Sequence, residues 1–397
     1  MTEARTQRWC NSVETADAVV VGAGIIGLSV AYELARGGVE RIAVLEKEEL
    51  PGMGATSACT GGIRLQFSSE ANIRFSKYSL DRYALFDREL GIEIGLKSNG
   101  YLFLLTDRSQ IPLYVEGHRS QNAMGVVSVF VDREWIRRIA PFLSLDDVLS
   151  GSYCPQEAHA DPHTVIEAYL RGLRGFGIEV QTRREVTGVE VAGGRIKALS
   201  TSRRSISTRV VVNCAGAYAG GIARLAGIDL ALVSRKRHVL VVKPPLALEQ
   251  NLPLIVDGGT GWYLKAEPGG IALMGGTDRE GTVSLDNLAE PETIDRIVEA
   301  GIKRVPSFGE AGMIRTIVGL RCMSADDHAL IGKLPNIGGF YCAAGFSGHG
   351  FMHAPATGIA LAELILHGRS SSLDLSPFDP CRFANRTSDS RHERYVF

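Results

Sequence analysis

The stretch that most limits how this chain folds is Ala18 to Glu46, AVVVGAGIIGLSVAYELARGGVERIAVLE. Four apolar residues, Ala18 to Val21, predict a short buried strand, and the apolar periodicity after them predicts a helix to about Arg36. Gly22, Gly24 and Gly27 join the two in G-x-G-x-x-G spacing. Gly37 and Gly38 stop the helix, and a second strand, Arg41 to Leu45, ends on Glu46. This pattern holds a dinucleotide. Gly22 makes the tight turn, Gly24 admits a pyrophosphate against the backbone, and Gly27 lets helix and strand approach. The unpaired N–H groups of the helix start face the phosphates. Glu46, nineteen residues beyond Gly27, is placed to accept hydrogen bonds from ribose hydroxyls, and its charge disfavours a 2′-phosphate. Ile25 and Ile26 inside the fingerprint, and Lys47 beside the acid, are further expected contacts.

At 397 residues the chain is too long for one simple core, and two domains are expected. A net charge of −1 with no basic block argues against a nucleic-acid surface. The first sixteen residues, MTEARTQRWCNSVETA, lack an apolar leader core, and no run approaches the ~18 apolar residues of a membrane span. Seven cysteines show no C-x-x-C pair, which predicts reduced thiols and a cytoplasmic location. His159 and His163 are four apart, but Pro162 between them spoils a metal-binding helix face, so no metal is expected.

Beyond Glu46, KEELPGMGATSACTGGIRLQF has no periodicity and reads as a long covering loop. Helices are predicted at Ser68 to Leu90, Asp132 to Ile139, Pro162 to Phe176, Gly220 to Ala226, Pro291 to Val305 and Met352 to Leu366. Strands are predicted at Gly100 to Leu105, Glu179–Val180, Arg209 to Cys214 and Gly339 to Ala344, with a hairpin turning at Gly193-Gly194. From His238 to Thr277 the pattern is β hairpins without helices. Strand–helix pieces thus occur at the start, middle and end, with antiparallel pieces between. The expected fold class is α/β: one dinucleotide-binding domain assembled from residues 17–96, 151–232 and 322–372, and a mostly antiparallel β domain from 97–150 and 233–321. Residues 1–16 and 383–397 are expected to be flexible termini.

The opening fingerprint, the loop GATSACTGGIR, the strand-turn VVVNCAGAYA and the late segment GFSGHGFMHAPATG, in this order, resemble the D-amino acid oxidase/sarcosine oxidase family of FAD enzymes. The likeness runs from about Asp17 to Pro377, and the strings SRKRHVLVV and GGIRLQFSSEANI are similar to the β subunits of heteromeric sarcosine oxidase and dye-linked L-proline dehydrogenase. The resemblance implies a Rossmann-type, glutathione-reductase-like FAD domain and a separate substrate domain. It implies that Gly22, Gly24, Gly27 and Glu46 hold the adenosine half of FAD and that Thr56 and Ser57 donate to the pyrophosphate. Gly61, Gly62 and Ile63 would pass beside the isoalloxazine, Val186 would meet adenine, and Ala215 and Gly216 would line the groove. Gly345, Phe346, Ser347, Gly348, His349, Gly350, Phe351 and Met352 would bring a helix N-terminus to the flavin, where negative charge develops on reduction.

Two departures bear on the chemistry. Met352 stands where the small monomeric sarcosine oxidases carry a lysine that binds the substrate carboxylate. Their cysteine tether for FAD falls near Gly319 here, with Cys322 out of register, and the histidine tether of dimethylglycine dehydrogenases falls near Ala58–Cys59. Non-covalent FAD is therefore expected. Arg64 and Arg321 are the candidate cations for a substrate carboxylate, each with an alternative use as a structural ion-pairing arginine. His349 either tunes the flavin or bonds backbone, and Tyr101 and Tyr263 are candidate cavity walls. The implied activity is oxidation of an amino acid or secondary amine, with hydride passing to flavin and release of an imine. Three other readings stay open: a subunit active only with a heteromeric partner, a flavin-binding scaffold without turnover, and an NAD-dependent dehydrogenase.

Overall fold

The computed structural model describes residues 14–276, 281–383 and 392–395. Its centre is a six-stranded sheet in the order Leu330–Lys333, Phe340–Ala344, Val211–Asn213, Ala18–Val21, Ile42–Leu45, Val180–Gln181. All neighbours are parallel except the first pair, so the sheet has apolar strands buried on both faces. Its strands come from the start, the middle and the end of the chain.

The helix Ile25–Arg36 is buried at eleven of its twelve residues. It lies against the late helix Gly350–His367: Ser29 Oγ donates to the carbonyl of Ala354 at 2.8 Å, and a Cβ on Gly358 would run into Ser29. Pro355 inside that late helix has no N–H to give the carbonyl of Phe351. The Tyr83 hydroxyl donates to that carbonyl at 2.8 Å, and Ser79 Oγ accepts from Ala356 N at 3.1 Å. The helix Glu70–Tyr83 thus satisfies what the proline breaks.

The second layer is an eight-stranded sheet in the order Gly312–Ser324, Leu232–Lys243, Ile271–Gly275, Tyr263–Glu267, Leu254–Asp257, Tyr101–Leu105, Ser150–Cys154, Val129–Val131. Every pairing is antiparallel except Leu254–Asp257 with Tyr101–Leu105. Its covering helix, Pro291–Arg304, ends in a fully buried Arg304 that donates to Asp257 at 2.5 Å and Asp147 at 2.9 Å.

Several elements depart from expectation. The predicted helix from Ser68 to Leu90 breaks at Ala84–Leu85 into Glu70–Tyr83 and Phe86–Leu90. The helix Gln110–Ala123 was not predicted, because Pro112 and Gly117 interrupt a segment with little apolar periodicity. The strand Ser150–Cys154, not predicted, belongs to the eight-stranded sheet, paired with Tyr101–Leu105. Nor are the termini simply loose. Glu14–Thr15 pairs with Ile206–Ser207, and Glu393 and Tyr395 are buried, because each finds hydrogen-bond partners on the folded body. The remainder of both expected flexible termini, residues 1–13, 384–391 and 396–397, lies outside the described residues. Among the described residues no helix is long and apolar enough to cross a membrane, and the six described cysteines are free thiols.

Candidate functional site

The glycine fingerprint is a turn whose atoms touch. Gly22 has φ +99°, and a Cβ there would lie 2.6 Å from the carbonyl oxygen of Cys214. A Cβ on Gly27 would run into the carbonyl of Gly22, so helix and strand meet with no room for a side chain. The helix starts at Gly24 without a side-chain cap, which leaves leading N–H groups for an outside acceptor. Thr56 Oγ1 accepts from Ile25 N at 3.1 Å, and buried Ile26 follows it.

Glu46 is pinned beside this turn: Oε2 accepts from Ala23 N at 2.9 Å and Oε1 from Glu48 N at 3.0 Å. Its carbonyl accepts from Arg184 N at 2.8 Å, which brings buried Val186, at the head of the strand Val186–Ala192, near the acid. Lys47 pairs with Glu48 at 2.7 Å and lies 4.0 Å over the Tyr218 ring. Ala215 and Gly216 follow the strand Val211–Asn213, and a Cβ on Gly216 would meet nothing within 4 Å. Ser57 lies in the same loop as Thr56. Its hydroxyl turns to the carbonyls of Met53 and Gly54, at 3.1 and 3.0 Å, so its one proton is committed within its own loop.

A second cluster forms where the loop 345–350 meets the strand Gly312–Ser324. Ser347 N donates to the carbonyl of Cys322 at 2.9 Å, and Ser347 Oγ accepts from Ser324 N at 3.3 Å. Gly348, at φ +94°, lies against Arg321: a Cβ there would be 2.9 Å from the guanidinium. His349 precedes the helix Gly350–His367, which also begins without a side-chain cap, and buried Phe351 and Met352 follow. His349 Nε2 is 3.2 Å from Arg64 Nη2. A guanidinium has only donors, so Nε2 accepts and the ring proton sits on Nδ1. Burial first, then the charges of Arg64, His353 and Arg321, hold the His349 imidazole well below its ordinary value. His349 is a neutral ring between two arginines.

Arg64 follows the short strand Gly62–Ile63, which pairs with Ala158–His159. Its Nη1 donates to the carbonyl of Tyr395 at 2.7 Å, and its guanidinium lies 4.2 Å over Phe67. The glycines before it are tight: a Cβ on Gly61 would strike the carbonyl of Ala160, and one on Gly62 would strike the Tyr101 hydroxyl. Burial raises the Tyr101 and Tyr263 phenols far above their ordinary values, and Arg321 partly offsets this for Tyr263, so both hydroxyls stay protonated.

One neighbour, Glu157, carried no signal in the sequence. Glu157, wholly buried, accepts from Leu65 N at 2.5 Å, Gln66 N at 2.6 Å and Gln66 Nε2 at 2.8 Å, and so fixes the backbone just after Arg64. Lys265 Nζ donates to the carbonyl of Thr60 at 2.8 Å and pairs with Glu267 at 2.7 Å. Lys265 stands directly across from Leu273 on the neighbouring strand. A lone glutamate after a turn looks like an ordinary surface residue until the strands are paired, whereas the place of Lys265 across the Pro-Gly-Gly turn from Leu273 is written in the sequence.

Two uncapped helix starts, a side-chain-free turn between them and the open side of Gly216 suit an extended dinucleotide. The comparisons with known proteins agree. The model of the FAD dependent oxidoreductase (DAO) family matches residues 17–364. The chain therefore belongs to the FAD-dependent oxidoreductase (DAO) family. It is 28% identical to mitochondrial sarcosine dehydrogenase of Homo sapiens over 399 residues, covering 96% of this chain and 43% of that protein. It is also 28% identical to FAD-dependent oxidoreductase domain-containing protein 1 of Xenopus laevis over 415 residues, covering 93% of this chain and 83% of that one. Among solved structures, L-proline dehydrogenase from P. horikoshii superposes with a TM-score of 0.87 at 31% identity, covering 94% of this chain and 98% of that one. The chain spans less than half the length of the human sarcosine dehydrogenase it matches.

Proposed function

We propose that this chain oxidises an amino acid or an N-substituted amino acid, of the sarcosine, proline or glycine kind, using non-covalently held FAD. FAD, when bound, supplies the two-electron oxidation that turns the amine C–N bond into an imine. The observation that carries the reading is the group of buried Arg64 and His349 with Arg321 beside them at the start of the helix Gly350–His367. Arg64 and Arg321 offer the planar cation that a substrate carboxylate needs, and Met352 leaves that task to them. His349 keeps its ring neutral and accepts from Arg64, which restricts the guanidinium rather than adding a third charge. Tyr101 and Tyr263 present protonated hydroxyls and no base, so the substrate amine would enter already neutral.

The non-covalent attachment is supported by a contact that links two distant positions. A Cβ on Gly319 would lie 2.6 Å from Cβ of Ala58. The two tethering regions of the resembled enzymes thus meet in space here: the cysteine's place is Gly319, and Ala58–Cys59 offers no histidine. Anaerobic mixing of the purified holoprotein with a panel of amino acids and N-methyl amino acids tests the proposal. Bleaching of the flavin by a carboxylated amine, and yellow colour leaving the chain on acid denaturation, are expected. No bleaching by any member refutes the activity, and colour retained by the denatured chain refutes the non-covalent attachment.

A further inference from the structure

Arg64 meets an unexpected partner, the other end of the chain. Its Nη1 donates to the carbonyl of Tyr395 at 2.7 Å, across 331 residues of sequence. The segment Glu393–Tyr395 is held there by groups on two helices and the turn before one of them. The Glu393 carboxylate is 2% exposed and accepts from Ser68 N at 2.8 Å, Ser68 Oγ at 2.7 Å, Ser69 N at 3.1 Å, Asn72 Nδ2 at 2.9 Å and Tyr395 N at 3.0 Å. The helix Glu70–Tyr83 has no cap from its own Ser69, so Glu393 is its anionic cap, delivered from the far terminus. Tyr395 is wholly buried: its ring stacks on Tyr114 at 4.6 Å and its hydroxyl donates to the carbonyl of Leu113 at 2.9 Å. A Cβ on Gly117 would run into that hydroxyl, so the helix Gln110–Ala123 has a notch where the tyrosine lies.

We propose that Glu393–Tyr395 is a strap that positions Arg64 for the substrate carboxylate, by docking its own backbone carbonyl on one arm of the guanidinium while His349 holds the other. This rests on the functional reading above. An arginine side chain has several free torsions, and two fixed acceptors on Nη1 and Nη2 set the plane of the fork. These two acceptors are uncharged, a carbonyl and a neutral imidazole, so neither of them neutralises the cation it orients. A carboxylate in either place would have cancelled the charge that the substrate needs. Glu393, the only carboxylate of the described strap, spends its oxygens on the helix start instead.

The test compares the full holoenzyme with a chain ending at Phe383, which keeps the buried ion pair of Arg382 with Asp326, and with the milder Glu393→Gln. Three readouts are taken: acetate binding from the flavin absorbance change, KM and kcat for an amino acid that bleaches the flavin, and the rate at which phenylglyoxal modifies Arg64. Loss of one hydrogen bond to a charged group predicts about tenfold weaker acetate binding and about tenfold higher KM in the shortened chain. FAD content should be unchanged, kcat should move less than KM, and Arg64 should be modified faster. A synthetic peptide of residues 391–397 should reverse these changes. Acetate binding, KM and phenylglyoxal rate all within twofold of the full chain would overturn the strap, as would loss of FAD from both variants, which would make the segment a general folding element. If the full chain responds neither to acetate nor to any amino acid, the functional reading fails, and the phenylglyoxal rate alone then decides the strap.

Discussion

Glu157→Gln isolates a buried carboxyl whose protonation is set against its surroundings. Glu157 is 0% exposed, and burial pushes its carboxyl up from 4.5 to about 7, although Gln66, Leu65 and the charge of Arg64 all favour the ionised form. The folded value lies above the unfolded one, so the native state holds a proton that the unfolded chain has lost between those limits. Stability from this group is therefore fully present below pH 4.5 and is lost as pH rises to about 7. A shift of about 2.5 units at ~1.36 kcal/mol each amounts to roughly 3 kcal/mol, with a slope approaching ~1.4 kcal/mol per pH unit inside the window. Glutamine removes the titration. Its carbonyl can still accept from Leu65 N and Gln66 N, while its amide faces the amide of Gln66, a penalty that does not vary with pH. Urea denaturation of both holoproteins in excess FAD, from pH 4.5 to 8, should show a difference that moves by about 3 kcal/mol in favour of the glutamine form at high pH. Parallel curves would show that Glu157 does not change its charge in this range and would refute the argument.

Glu46→Gln should lower FAD affinity by about tenfold, because the amide cannot accept from both Ala23 and Glu48 and offers ribose a weaker acceptor; an unchanged dissociation constant would move the ribose elsewhere. Arg64→Lys should leave FAD content intact and slow reduction by carboxylated amines about tenfold or more, since an ammonium cannot bridge Tyr395, His349 and a carboxylate in one plane. Stopped-flow reduction that matches the parent at every substrate concentration would reassign the carboxylate to Arg321. Reoxidation by oxygen should be slow beside reoxidation by a dye: the resemblance to the small oxidases implies that their oxygen-assisting lysine is replaced here by apolar Leu273, and the charge of Lys265 opposite it is already paired with Glu267. Air-saturated buffer that clears the reduced flavin as fast as dye would show an oxidase.

Local chemistry made half of this legible in advance. The fingerprint, its acid and the Gly193-Gly194 hairpin are each written within about thirty residues, so strand, turn and helix could be read directly. The helix starting at Pro162 was visible for the same reason, with Asp161 capping Thr164 N at 2.7 Å. What escaped depends on pairing across the chain. The strand Gly312–Ser324 reads as an indifferent mix until it lies along Leu232–Lys243, and the helix Gln110–Ala123 carries too little apolar periodicity to announce itself. The Ser57 hydroxyl's bonds to two carbonyls of its own loop could not be read from the sequence, because they depend on how that loop folds. Glu157 and Tyr395 gave no sign, because only tertiary contact turns a lone acid and a penultimate-turn tyrosine into supports for Arg64.

The order of the central sheet has a consequence for how the protein is made. Val211–Asn213 lies between Ala18–Val21 and Phe340–Ala344, and Ser29 finds its acceptor 325 residues later at Ala354. At a synthesis rate of ~5–20 residues per second, the helix Ile25–Arg36 waits roughly 15–65 s for the helix that covers it. Until Cys214 is made the turn at Gly22–Gly27 lacks its wall, and until Ala354 is made the helix has cover only from Pro162–Gly175, whose Tyr169 hydroxyl donates to Ser29 Oγ. The dinucleotide turn written in the first fifty residues is therefore complete as a site only after Val211–Asn213 and the helix Gly350–His367 have been made.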